Sequence, residues 1–318
     1  MTTAPPAPPA PSTRSGHSGA SVPQEPLLLP GQRMTPSPGR DRPWRVLTVL
    51  AGSAVVLLVL VSLSLATAAT WMTSRGYGDV PATTTLGSPE SLTLASDIGA
   101  ITVVPSLEVE EVTVALVAPG STTLPAPDET VRARITHDTG PQRTALTVSQ
   151  PERFIGLPWT RTLLDVLLLV PEGHELALDV QADVGDVGID GEFTSLSVRS
   201  DVGDLDIGPV SVAEELVANS AVGDVRVEVA SPAPKTVDIS AAVGGIDLGL
   251  PADADGDVGV RTELGDVRVA IPGTVSWRVS AESELGDVTI DPALTGRGDT
   301  GEGSLTVASE LGSITVTR

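Results

Sequence analysis

The sequence predicts an all-β protein, a β-solenoid or β-helix of about 20–21-residue coils, preceded by a single transmembrane helix and a disordered Pro-rich tail. Three observations carry this. First, one phrase recurs, an aliphatic residue, Gly, Asp, aliphatic, any residue, aliphatic, as in Val184–Ile189, Val202–Ile207, Val222–Val227, Leu264–Val269 and Leu285–Ile290. Looser copies stand at Ile98–Val103, Val243–Leu248 and Leu311–Val316. From Gly185 the glycines are spaced 18, 20, 21, 21, 21 and 26 residues apart, the mark of stacked repeats. Second, the copies align in columns. Seven and five residues before the glycine the residues are apolar, three before they are Ser, Ala or Thr, one before they are Ile, Val or Leu, and two and four after they are aliphatic. Third, seven aromatics in 318 residues suit columns of stacked branched aliphatics better than an ordinary core.

Residues 1–45 hold Pro5–Pro11 and little that could form a core, so they read as a disordered, solvated cytoplasmic tail. Residues 46–72 carry no charge, and 27 residues at 1.5 Å each can span a hydrocarbon layer of roughly 30 Å. Trp44 and Trp71 mark its ends, and the long segment before it argues against a cleaved signal peptide. Arg40, Arg42 and Arg45 precede it and only Arg75 follows closely, which predicts a cytoplasmic amino terminus in a cell membrane. Residues 73–90 read as a linker, and 91–318 as the extracytoplasmic solenoid, regular from about residue 160.

Within the solenoid, Val112–Leu116, Val131–Ile135 and Leu146–Val148 are strand candidates outside the regular pattern. The columns also recover a coil with Leu164 where glycine belongs, 21 residues before Gly185, which is expected to start the regular stack. Period two on either side of the corner places the columns at −7, −5, −3, −1, +2 and +4 inside. Glycine suits the corner because it tolerates positive φ, and aspartate because its carboxylate can accept from nearby amides. Strand edges left open at a final coil ending near Val316 would allow self-association.

Several chemistries are excluded or weakened. Without cysteine there is no disulfide, thiolate ligand or cysteine nucleophile. The net charge is −22, and residues 73–318 hold 14 basic against 39 acidic residues, so nucleic acid is repelled. His17, His137 and His174 are isolated, which offers no triad or His-metal set. Arg297-Gly298-Asp299 and the Gly296-x-Gly298-x-x-Gly301 spacing share one loop, but no helix pattern follows to support a dinucleotide site.

The sharpest candidate is acidic pairing across the corner: Asp183 with Asp186, Asp201 with Asp204, Glu263 with Asp266 and Glu284 with Asp287. Stacking brings like carboxylates about one strand spacing apart, and such oxygen-only sites suit Ca²⁺. The competing reading is a row of solvated acids that keeps the edge soluble. No other cofactor is expected.

The Gly-Asp phrase, together with Leu168-Leu169-Val170-Pro171-Glu172-Gly173 ahead of the regular coils, resembles the bacterial putative-adhesin family of domains of unknown function. That resemblance implies a membrane-anchored envelope protein and brings no catalytic residues. The expected function is therefore non-enzymatic adhesion or scaffolding, with a cell-envelope polymer or another membrane protein as partner. A sensor role in envelope stress is the alternative. A polysaccharide-acting solenoid enzyme using face acids such as Asp206 or Asp247 is the third reading.

Overall fold

The computed structural model describes residues 46–47, 49–53, 55–62, 64, 76–140, 143–151, 163–294 and 303–318. The tail 1–45, Trp159, and the loop carrying Arg297-Gly298-Asp299 lie outside them. The chain divides into two units, Met1–Ser64 and Leu65–Arg318. In the first, the described residues from 46 to 64 are helical with exposed aliphatic side chains. The hydroxyls of Ser62 and Ser64 donate back to the carbonyls of Leu58 and Leu60, the way a polar group is satisfied inside an apolar helix. Among the described residues no helix is long and apolar enough to cross a membrane.

The second unit is built of paired strands. Before the regular coils stand β1 (Gly78–Pro81), β2 (Thr83–Thr85), β3 (Ser91–Ser96), β4 (Ile101–Ser106), β5 (Thr113–Val117), β6 (Thr130–Thr139), β7 (Arg143–Ser149) and β8 (Asp165–Pro171). Each regular coil then supplies two strands around one corner: β9 (Ala177–Val184) and β10 (Val187–Phe193), β11 (Ser195–Val202) and β12 (Leu205–Val212), β13 (Glu215–Val222) and β14 (Val225–Val229). They continue as β15 (Thr236–Val243) and β16 (Ile246–Gly249), β17 (Asp257–Leu264) and β18 (Val267–Ala270), β19 (Trp277–Leu285) and β20 (Val288–Ile290), β21 (Gly303–Leu311) and β22 (Ile314–Thr317).

The incoming strands form one 11-stranded sheet, β1-β6-β7-β3-β9-β11-β13-β15-β17-β21-β19. The outgoing strands form the other, β2-β5-β8-β4-β10-β12-β14-β16-β18-β22-β20. Pairing between coils is parallel, in the register the columns dictate: Leu196 lies between Leu178 and Leu216, and Ile207 between Ile189 and Val227. Antiparallel β1 and β6, with β2 and β5, close the amino-terminal end of the stack.

The core is the narrow space between the sheets. Columns −7, −5, +2 and +4 fill it, with Leu196, Val198, Leu205 and Ile207 essentially without solvent contact. Each such aliphatic burial contributes about 1.5–3 kcal/mol. The small column at −3 is also buried, because the corner closes over it: Thr262 donates to the Gly244 carbonyl and Ser309 to that of Gly265.

Three expectations are corrected. The −1 column faces outward rather than inward: Val184, Val202, Val222, Val243, Leu264, Leu285 and Leu311 are 43–69% exposed. The chain begins to turn at −2, so the four residues from −2 to +1 wrap the outside of the bend. Second, the coil order in space is not the order in sequence. The coil before that of Gly185 is the Gly99 coil, since β3 and β4 pair with β9 and β10, and the Leu164 corner lies one coil further out. The Leu164 register itself stands, with Val166 on Ile101 and Leu168 on Val103, but its incoming strand is β7. Third, Val316 is interior. β22 sits between β18 and β20, so the terminal coil of the stack is that of Gly286.

Candidate functional site

The corners stack into a ridge along one edge of the solenoid. Its backbone is a coil-to-coil ladder: the Gly203 amide donates to the Val222 carbonyl and the Leu205 amide to the Asp224 carbonyl, at 3.0 and 2.9 Å. Gly203 and Gly223 take φ near 144° and 142°, and a Cβ on either would stand 2.2 or 2.1 Å from the glycine carbonyl oxygen of the coil before it. The glycine is therefore required twice, by conformation and by close approach. Leu164 can occupy the equivalent position because, among the described residues, no corner glycine lies behind it: β8 is followed in its sheet by antiparallel β5.

The aspartates after the glycine act between coils rather than on their own turn. Asp186 Oδ1 accepts from the Asp204 amide at 3.0 Å, Asp204 Oδ1 from the Asp224 amide at 2.9 Å, and Asp224 Oδ1 from the Gly245 amide at 2.8 Å. Asp266 Oδ1 likewise accepts from the Ser313 amide at 2.8 Å. Each carboxylate thus offsets its neighbour's charge with an otherwise open amide. Such charge-assisted bonds are shorter and stronger than neutral ones.

The sequence-predicted acids all lie on this ridge, and stacking brings them into two rows. Asp186 and Asp204 continue to Asp224 on one side of the aliphatic stripe, with Asp183 and Asp201 on the other. At the far end the permuted order inserts Glu310 between Glu263 and Glu284, and Ser313 between Asp266 and Asp287. Glu310 escaped sequence reasoning, although it stands two residues before Gly312 as Glu284 does before Gly286. Among the described residues no group of three or more His, Asp or Glu converges as a metal ion would require.

Beyond the ridge, the outgoing sheet presents Asp206, Arg226, Asp247 and Arg268 in succession on its outer face. Opposite charges on neighbouring strands stabilise such a face by a few tenths to about 1 kcal/mol per pair. At the other end of the outgoing strands a groove of about 530 Å³ is lined by Pro105, Pro171, Asp190, Phe193 and Pro209 among others. Burial raises the Asp190 carboxyl above the ordinary carboxylate value, and the nearby Asp206 charge adds to the rise. His174, on the same rim, has its Nε2 2.9 Å from the Pro89 carbonyl oxygen.

Two solved structures are similar, a putative adhesin from Bacteroides fragilis NCTC 9343 and a putative cell adhesion protein from Clostridium sporogenes ATCC 15579. The first is 13% identical, covers 75% of this chain and 97% of its own, and has a TM-score of 0.42. The second is 12% identical, covers 76% and 99%, and has a TM-score of 0.34. No curated protein matches the chain. The family model described as Toastrack DUF4097 matches residues 176–317, from the turn into β9 to the end of β22. The resemblance read from the Gly-Asp phrase is thereby borne out: the regular coils, residues 176–317, match the model of the Toastrack DUF4097 family.

Proposed function

We propose that this protein is a non-enzymatic adhesion or scaffold module of the cell envelope, held at the membrane by residues 46–72 and displaying the solenoid outside. The observation that supports it most is the ridge: seven exposed aliphatic side chains in line, flanked by acids, on a scaffold of repeated coils. Exposed apolar side chains arranged contiguously mark interaction surfaces. A contact that uses many equivalent coils binds a repeating polymer or an extended partner better than a compact substrate. The exposed apolar helical residues between 46 and 61 support the anchor.

Co-sedimentation of the full chain, reconstituted in liposomes, with isolated cell envelope tests the reading. Binding is expected, and replacing Val202, Val222 and Val243 together with Ser should abolish it while leaving the circular dichroism unchanged. Binding that survives the triple substitution removes the ridge as the contact surface. Parallel arms with calcium and with chelator separate a cation-bridged contact through Asp183, Asp186, Asp201, Asp204, Glu263, Asp266, Glu284 and Asp287 from one that needs no metal.

A further inference from the structure

The two ends of the coil stack are finished differently. At the amino-terminal end the edge strands are short, four residues in β1 and three in β2, and Pro81 removes a donor from β1. These are ordinary ways of blunting a strand edge. At the other end the edge strand β19 is nine residues long, and 277–290 contains no proline. Among the described residues β19 pairs as a strand only with β21 and β20 only with β22; on the far side of β19 the Trp277 amide donates to the Leu294 carbonyl at 3.0 Å, and no described strand lies beside the rest. The core columns open with them. Val288 is 40% exposed where its neighbour in the stack, Ile314, has no exposure, and Val279, Ala281 and Ile290 are half-buried where Leu305, Val307 and Val316 are buried.

We propose that the Gly286 coil is a self-association face, on which a second copy of this chain docks end to end by antiparallel pairing of β19 with the partner's β19. The occupant follows from what the face lacks. Beyond Trp277 it offers a strand edge with no further strand beside it, together with half-open aliphatic columns, and every coil inside the molecule meets that need with another coil bearing the same columns. Residues 295–302, Thr-Gly-Arg-Gly-Asp-Thr-Gly-Glu, bring no apolar side chain with which to cover it.

The charges are self-complementary. With the two-fold at Ser280, Arg278 stands opposite Glu282 of the partner subunit on the outer face, and Val279 opposite the partner's Ala281 on the inner. A two-fold interface makes each of these contacts twice. Head-to-tail stacking, with β19 against the amino-terminal edge of another copy, would have to use β1 and β2, which are only four and three residues long and include Pro81.

The chain has no cysteine, so a single one reports the contact. Ser280 is exposed and lies on the proposed axis, where directly opposed Cα atoms are about 4.5–5.5 Å apart, within disulfide range. Full-length Ser280→Cys in detergent micelles should form a disulfide dimer on mild oxidation, whereas Arg199→Cys, exposed on β11 in mid-stack, should not. Arg278→Glu should cut the cross-linked fraction about tenfold, two favourable pairs becoming two like-charge contacts. Arg278→Glu with Glu282→Arg should restore it. The circular dichroism of each variant is compared with that of the parent chain. A Ser280→Cys chain that stays monomeric, cross-linking equal to that of Arg199→Cys, or cross-linking indifferent to the charge reversal overturns the proposal. Protection from hydrogen exchange, in a monomeric chain, of the β19 amides that point away from β21 would show instead that residues of the same chain cover the edge.

Discussion

At the scale of single residues, the corner glycines carry the tightest constraint in the molecule. A methyl at Gly223 would lie 2.1 Å from the Gly203 carbonyl oxygen, at a φ of 142° that L-residues avoid. Neither coil can retreat without breaking the Gly203-to-Val222 and Leu205-to-Asp224 backbone bonds beside it. Gly223→Ala should therefore destabilise the second unit by about 3 kcal/mol or more, lowering the urea midpoint followed by circular dichroism. A shift under about 1 kcal/mol would mean the coils slide apart more freely than this ladder allows. Gln150 shows how a corner is completed without glycine. Its side-chain amide donates to the Leu164 carbonyl at 2.6 Å and accepts from the Leu164 amide at 2.9 Å, standing in for backbone where the regular turn is missing.

At the scale of the element, each coil is a strand that alternates strictly until −3, a four-residue bend, and a strand that alternates again from +2. β13 reads exposed, buried, half-buried, buried, half-buried, buried, then two exposed residues. The same side chain therefore has opposite consequences on either side of the bend. Val225→Ser places a hydroxyl in a position without solvent contact and should cost about 2–3 kcal/mol. Val222→Ser, at 47% exposure three residues earlier, should cost under about 1 kcal/mol. Thermal midpoints of the two single variants check the contrast, and equal losses would mean that the ridge column belongs to the core.

At the scale of the whole molecule, the permuted coil order makes the last two coils interdependent. β21 and β22 are added last in sequence but lie between the Gly265 and Gly286 coils, so removing them opens the middle of the stack. In a solenoid stacked in sequence order, losing the last coil would only expose the one before it. Here a chain ending at Leu294 leaves β19 and β20 without their pairing partners. Hydrogen exchange should show protection lost throughout 277–290 and retained in β11 to β16. Retained protection over 277–290 would mean that the Gly286 coil can dock directly on the Gly265 coil. The Arg318 guanidinium adds to this interlock by donating to the carbonyls of Gly273 and Ala293.

The coil is legible in the residues alone: glycine at the corner, aspartate after it, the inward columns and the parallel register, even for the disguised Leu164 corner. These follow from interactions repeated in every copy, so they print a period. It could equally have revealed Glu310, through the same column rule. Which coil neighbours which, and which way the −1 residues face, emerges only from the folded chain. Coils with identical columns are interchangeable as neighbours, so their pattern cannot rank partners. The hints were lengths alone, the 26-residue step before Gly312 and the long interval between Gly99 and Leu164, which give the chain enough slack to pass a coil and return. The −1 residues are aliphatic like the core columns, and only the geometry of the bend turns them outward.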